Sequence, residues 1–370
     1  MKTLNSILFL SAVLTLLVIS SQQLQAQWQS PGTLTFEGVN GSTIAPNGDM
    51  WVVGDAGFVL KSTDCGATWN VVVVPSGGND LESIYFQSDS DAFIMSEDGL
   101  LLRSVDGGNM WSALGTPATS DLYKMDFASE MIGFCVGRDG NIVKSSNGGT
   151  SWTSQISGTA VRLHGVHCFS TINVVVVGRS STYLTTTNGG SSWTSQATGI
   201  PGDIYDITFV SDQVGFIAAE FGAYATSNGG VSWTQLSTPA FAQFSDVHFY
   251  DEMNGYWCGM NGLVVATTDG GTTFEIVDIS ATSELFSIFM QSANVGVVTG
   301  DLGTIRYLCE AVEVCFGDFN FDSSINTQDL LLLLTTLGCS ESCGMFDLNE
   351  DTVVNITDIL AFLTVFGTDC

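Results

Sequence analysis

The chain has 370 residues, of which 38 are acidic and only 9 are Lys or Arg, for a formal net charge of −29. A surface of that sign repels nucleic acid and anionic membrane, which are held by basic patches, so those partner classes are excluded. The length accommodates one large repeat domain and a small second one.

Residues 1–26 read as a signal peptide. Lys2 is the charged start, Ile7 to Ile19 the apolar stretch, and Leu24-Gln25-Ala26 a cleavage sequence. No later stretch is long and apolar enough to span a bilayer. The expectation is an exported bacterial protein, secreted or held at the cell surface.

From residue 27 a unit of near-constant length recurs. Its marker is S-x-D-x-G-x-x-W, seen in full at Ser104 to Trp111. Variants begin at residues 62, 104, 145, 186, 226 and 267, spaced 42, 41, 41, 40 and 41 apart. A fixed period near forty residues means one supersecondary unit copied in tandem. In the unit from Asp121 to Trp152, the segments Leu122–Phe127, Gly133–Gly137, Asn141–Ser145 and Trp152–Ile156 read as four short strands with turns between them. Four antiparallel strands per forty residues make a propeller blade.

Seven first strands are expected, beginning near Thr35, Leu81, Leu122, Leu163, Ile204, Phe244 and Leu285. The last unit runs into Cys309 without a fourth strand. Trp28 begins a segment that resembles the other fourth strands, so the N-terminal segment is expected to close the ring. The predicted fold over 27–308 is therefore an all-β seven-bladed propeller closed by its N-terminal strand. Within the marker, the glycines serve a tight turn, Asp or Asn accepts turn amides, and Trp seats the turn against the blade.

Candidate sites lie on the opposite face. Arg138 and Arg179 occupy the same turn in adjacent units, and Arg162 precedes the first strand of the later one. Together they form a basic spot suited to a protein or glycan ligand bearing an anion. Glu82, Asp121, Asp203 and Glu284 precede or open first strands and place a ring of acids near the channel mouth, as a polysaccharide-cleaving glycoside hydrolase would require. His164, His167 and His248 do not group as a metal site. Of nine cysteines, Cys65, Cys135, Cys168 and Cys258 lie singly in the repeats and read as buried thiols. Cys309, Cys315, Cys339, Cys343 and Cys370 crowd the end and read as disulfides.

These turns look like Asp-boxes, found in sialidases, sortilin-type receptors and the photosystem II assembly-factor family. The whole unit resembles the last of these, over about residues 27–308, with Gly133 to Gly137, Asp139 to Ile142 and Ser145 to Trp152 as its hallmarks. That resemblance implies an assembly or folding factor for an exported complex. Sialidase chemistry is not supported. The mature chain has only five arginines, two of them in third strands, and its Ile305-Arg306-Tyr307 is not the sialidase F-R-I-P signature.

Residues 309–370 form a separate module. Asp318, Asn320, Asp322, Ser324 and Asp329 stand at positions 1, 3, 5, 7 and 12 of a loop. Asp347, Asn349, Asp351, Val353 and Asp358 repeat it 29 residues later. Side-chain oxygens at 1, 3, 5 and 12 with a backbone carbonyl at 7 are what Ca²⁺ takes, so two calcium sites are expected. Each loop runs into an apolar helix, Asp329 to Leu337 and Asp358 to Phe366, ended by Gly338 and Gly367. The duplicated loop-helix resembles the dockerin type I family over about 315–370, which implies two Ca²⁺ and a cohesin-like partner. Position 6 departs from that pattern, with Ser323 and Thr352 in place of glycine, and Leu334 and Thr335 stand where dockerins often carry basic residues. Pseudo-twofold pairing would join Cys315 to Cys370 and Cys339 to Cys343, one of three connectivities open to four cysteines. The function expected from all this is a secreted, non-catalytic binding or surface-associated protein with a calcium-stabilised tail for attachment or protein interaction.

Overall fold

The computed structural model describes residues 27–309, apart from 33, 35, 36 and 241, and then 325–339, 346, 348 and 353–366. The chain divides into two units, Met1–Cys309 and Glu310–Cys370.

The first unit is a seven-bladed β-propeller. Six sheets have four strands in chain order and the last has three. Blade three consists of Leu122–Phe127, Gly133–Gly137, Ile142–Ser145 and Thr153–Gln155, paired antiparallel. Second strands such as Gly133–Gly137 are buried at every residue, because both sheet faces are covered by neighbouring blades. Their composition follows, as in Val174-Val175-Val176-Val177. The innermost strands are Gly41–Ile44, Leu81–Phe86, Leu122–Phe127, Leu163–Cys168, Ile204–Phe209, Phe244–Phe249 and Leu285–Ser292. They line the axis.

The recurring turn clips one blade to the one before it. In blade two, Ser104 Oγ donates to Asp106 Oδ1 (2.8 Å) and accepts the Gly108 amide (2.8 Å), while Asp106 Oδ1 also takes the Met110 amide. Trp111 Nε1 donates to the Gly108 carbonyl at 3.0 Å, and its ring meets Trp51 of blade one edge-on at 6.1 Å. Gly108 has φ +82, and a Cβ there would strike the Trp51 ring. Trp152 with Phe93 and Trp193 with Phe134 repeat the contact.

Closure of the ring combines an expected element with one the sequence reading did not contain. Gln29 and Tyr307 exchange both backbone hydrogen bonds, so the N-terminal segment supplies the outer edge of blade seven, with Trp28 packed into that blade's core. Pro31, two residues on, has no N–H to extend the ladder. Across the seam, Cys65 and Cys309 form a disulfide spanning 244 residues of sequence, and Trp69 meets Tyr307 at 6.4 Å. The reading of Cys65 as a lone buried thiol is thus corrected. Cys65 replaces a glycine of the turn at φ +61, the place where blade one abuts blade seven. Cys135 and Cys258 are buried thiols and Cys168 is half-buried. The first described strand of blade one is Gly41–Ile44, the segment that the turn at Pro46–Asp49 folds onto Met50–Val53; the expected start at Thr35 lies outside the described residues.

The second unit contains α1 (Thr327–Thr335) and α2 (Ile356–Leu363). Both begin two residues earlier than Asp329 and Asp358, since Asn326 and Asn355 are the N-caps. Each forms a capping box with the aspartate three positions on. Ile325, Leu333, Val354 and Phe362 are their buried core. Cys339 is disulfide-bonded. No described helix is long and apolar enough to cross a membrane. The leader, Asp318, Asn320, Asp322, Ser324, Asp347, Asn349, Asp351, Cys315, Cys343 and Cys370 lie outside the described residues.

Candidate functional site

One irregularity recurs in the innermost strands and builds a site. In blades two to seven the pairing with the second strand skips one residue, at Leu81/Ser83, Leu122/Lys124, Leu163/Gly165, Ile204/Asp206, Phe244/Asp246 and Leu285/Ser287. A β-bulge re-aims the unpaired residue. The skipped residues are Glu82, Tyr123, His164, Tyr205, Ser245 and Phe286. All except Ser245 line a single cavity of 340 Å³ at the mouth of the channel, together with Arg162 and Lys124.

Lys124, the residue after the bulge in blade three, reaches across the axis. Its Nζ lies 2.9 Å from Asp246 Oδ1 and 3.5 Å from Asp206 Oδ2, carboxylates from blades six and five. Both aspartates are buried, while Lys124 keeps 37% exposure within the channel. Burial pushes Asp206 well above the usual carboxylate range, and the charge of Asp246 adds to it against Lys124. For Asp246 burial also raises, but Lys124, Asp206 and the Ile288 amide outweigh it and hold the group low. The two carboxyl groups facing Lys124 are thus pushed in opposite directions, Asp246 toward the charged form and Asp206 toward the protonated one. Deeper in the channel, Asp126 accepts the Cys168 amide of the next blade at 2.7 Å, and burial raises it to about 6. His248 Nδ1 accepts the Met290 amide in the same manner, while burial lowers His167 and His248 to about 4. These contacts stitch inner strands to one another. The histidines sit in the channel wall, and no group of three or more metal-ligating residues occurs among the described residues.

The three arginines lie on the expected face and differ in their pairing. Arg138 is exposed and bound to Asp121 at 3.2 Å; Arg179 is exposed and bound to Asp203 at 3.4 Å. Arg162 stands over the Tyr123 ring at 4.8 Å. Among the described residues it is the one basic side chain without a carboxylate or carbonyl acceptor. Lys61, Arg103, Lys144 and Arg306 are bound to Asp49, Asp91, the Gly189 carbonyl and the Ile279 and Ser280 carbonyls.

Of the four rim acids, Glu82 lines the cavity. Asp121 is engaged by Arg138 and by Tyr123 Oη (2.9 Å), Asp203 by Arg179 and the Ser180 amide, and Glu284 by Gln243. Burial raises Glu82 to about 7, reinforced by the charge of Asp121 and opposed by Arg162. Burial, then the charges of Arg162 and Arg179, lowers His164 to about 4, so the imidazole is neutral. Its ring lies between Tyr123 (5.9 Å) and Tyr205 (5.4 Å), and its buried Nε2 has no hydrogen-bond partner. The sequence reading missed Lys124, His164, Tyr205 and Phe286 as site residues. The available signal was two residues between apolar anchors, as in Ile204-Tyr205-Asp206-Ile207, where an unbroken strand has one.

Comparison with known proteins places this architecture. A family model described as photosynthesis system II assembly factor YCF48 matches residues 14–105 and 106–244, more than half of the chain. Among solved structures, YCF48 from Cyanidioschyzon merolae is 20% identical, with a TM-score of 0.62 over 77% of this chain and 99% of that one. A YCF48 bound to D1 peptide is 18% identical, with a TM-score of 0.64 over 78% and 96%. The GH74 xyloglucanase of Xanthomonas campestris shares the fold at 12% identity and a TM-score of 0.61, the match spanning 76% of this chain and about half of that one (53%). No curated protein sequence matches. By its family match, the chain belongs to the photosynthesis system II assembly factor YCF48 family.

Proposed function

We propose that this is an exported, non-catalytic assembly factor that holds a segment of a client protein on the face carrying Arg138, Arg162 and Arg179. The observation that carries the reading is Arg162, which lines the channel-mouth cavity and lacks an acceptor among the described residues, while Arg138 and Arg179 are exposed and bound to the rim acids Asp121 and Asp203. A guanidinium without a carboxylate on a protein of net charge −29 favours an acidic partner. A family relative carrying a bound peptide, the YCF48 with D1 peptide, supports the class of ligand. Hydrolysis of polysaccharide is the weaker reading. It needs two available carboxyl groups facing one substrate; Asp121, Asp203, Asp206 and Asp246 are all engaged by basic side chains, and of the remaining rim acids Glu82 lines the cavity while Glu284, held by Gln243, does not.

The second unit is read as a dockerin-like, calcium-stabilised module for attachment or protein interaction. Its proposed donors are all oxygen, which suits a hard cation. The two described closing carboxylates, Asp329 and Asp358, are fully buried at the helix starts, each with Oδ2 accepting an N-cap amide. A cohesin-like partner would dock there.

The reading is tested on an array of extended peptides differing in charge. Acidic peptides should be retained by the wild type and released by Arg138→Gln/Arg162→Gln/Arg179→Gln with unchanged melting. Charge-independent retention, or retention by the triple variant, overturns it.

A further inference from the structure

We propose that the channel mouth is itself a binding site for a single acidic sugar ring, of the uronic-acid class, sharing Arg162 with the segment-binding face around it but adding groups that face does not use. Four polar groups of different chemistry meet in the cavity, and none has a hydrogen-bond partner among the described residues: the Glu82 carboxyl, the Arg162 guanidinium, His164 Nε2 and the Tyr205 hydroxyl. They come from blades two, four and five, and three are placed by the same bulge. Elsewhere the molecule engages its basic side chains and its rim acids closely, so this cluster calls for an explanation.

The set decides the class of ligand. A guanidinium fork takes a carboxylate through two parallel hydrogen bonds. An isolated acidic side chain would use Arg162 and leave the acid, the imidazole and the phenol unanswered. A uronic acid carries its carboxylate on a ring bearing several hydroxyls, each both donor and acceptor, and so supplies partners for all four. Phe286 and Tyr205 add the aromatic surface on which the C–H face of a pyranose packs. The 340 Å³ cavity admits one such ring. Lys124, bridged to Asp206 and Asp246 across the axis, bars continuation down the channel, so the ring enters as a free sugar or as a chain end.

Because the ligand is small, the probes are D-glucuronate, D-glucose and N-acetylglutamate, titrated against the full chain and followed by ligand-observed NMR and calorimetry. Glucuronate should bind at least about tenfold more tightly than either of the others, as the loss of a charge-assisted bond or of several hydroxyl contacts implies. Arg162→Gln should lose that preference, Arg162→Lys should restore only part of it, and Tyr205→Phe should weaken glucuronate severalfold without changing the melting temperature. A glucuronate-terminated disaccharide that binds as well as the monosaccharide identifies a chain end as the source; one that does not identifies the free sugar. Equal binding of glucose, equal binding of N-acetylglutamate, or no binding of glucuronate overturns the proposal. Equal binding of N-acetylglutamate would still leave the segment-binding reading standing, and failure of the peptide array would leave this one standing.

Discussion

Glu82 offers a quantitative check on the channel mouth. Its pKa rises from 4.5 in the unfolded chain to about 7 in the fold. Each unit is worth about 1.4 kcal/mol, so the shift corresponds to about 3 kcal/mol. The folded state prefers the protonated acid, hence between these two values it binds a proton that the unfolded chain has lost. Stability from this group is fully present below pH 4.5 and disappears as pH rises through about 7. Glu82→Gln keeps the shape and fixes the neutral form. Relative to wild type it should be isoenergetic near pH 4.5 and more stable by about 3 kcal/mol at pH 8. The difference between the two proteins is essential. His164, His167 and His248, lowered to about 4, resist protonation in the fold and make stability fall as pH drops below 6.5. Asp126, raised to about 6, acts in the same sense as Glu82. Denaturant unfolding of both proteins at several pH values subtracts these shared contributions. Parallel stability curves from pH 4.5 to 8 would refute the placement of Glu82 in a desolvated, acid-flanked site.

Other expectations are independent of the channel. Cys65→Ser opens a loop of 244 residues and should cost about 2–5 kcal/mol; reductant should lower the melting temperature of the propeller transition in the wild type and leave that of the variant unmoved. Gly108→Ala places a Cβ against Trp51 at φ +82 and should destabilise by about 2–4 kcal/mol in denaturant unfolding, whereas Gly115→Ala, where nothing lies within 4 Å, should cost under about 1 kcal/mol. Chelation should lower the melting transition of the C-terminal module and leave the propeller transition in place, with no change in either counting against calcium.

The blade grammar was legible because it is local. Second strands announce themselves as unbroken apolar runs, and the Asp-box carries its hydrogen bonds within eight residues, as Ser104 to Trp111 shows. Pairings across the ring are not local. Cys65 and Cys309 are 244 residues apart, and only the three-dimensional seam between the first and last blades makes them partners. The same holds for Lys124, whose carboxylates lie 82 and 122 residues downstream on two other blades. A lone lysine in an inner strand carries no mark of what stands opposite.

The bulge joins these two levels. A strand that packs between neighbouring blades keeps apolar residues at alternate positions; Leu81-Glu82-Ser83-Ile84 and its five counterparts insert an extra residue instead. The cost is one lost ladder position near the top of each inner strand. The return is geometric: Glu82, Tyr123, His164, Tyr205 and Phe286 turn toward one axis, and the residue after the skip is free to meet its neighbours. Where that following residue is Ser83 or Ser287 it binds an adjacent inner strand, and where it is Lys124, Asp206 or Asp246 it closes the channel. Repetition thus yields a scaffold whose blades are alike at the outer turns and individual at the bulge. Side chains that differ from blade to blade at one structurally equivalent position are free of the blade's packing demands, which is why the binding we propose for this propeller is assigned to the channel mouth and not to the Asp-boxes.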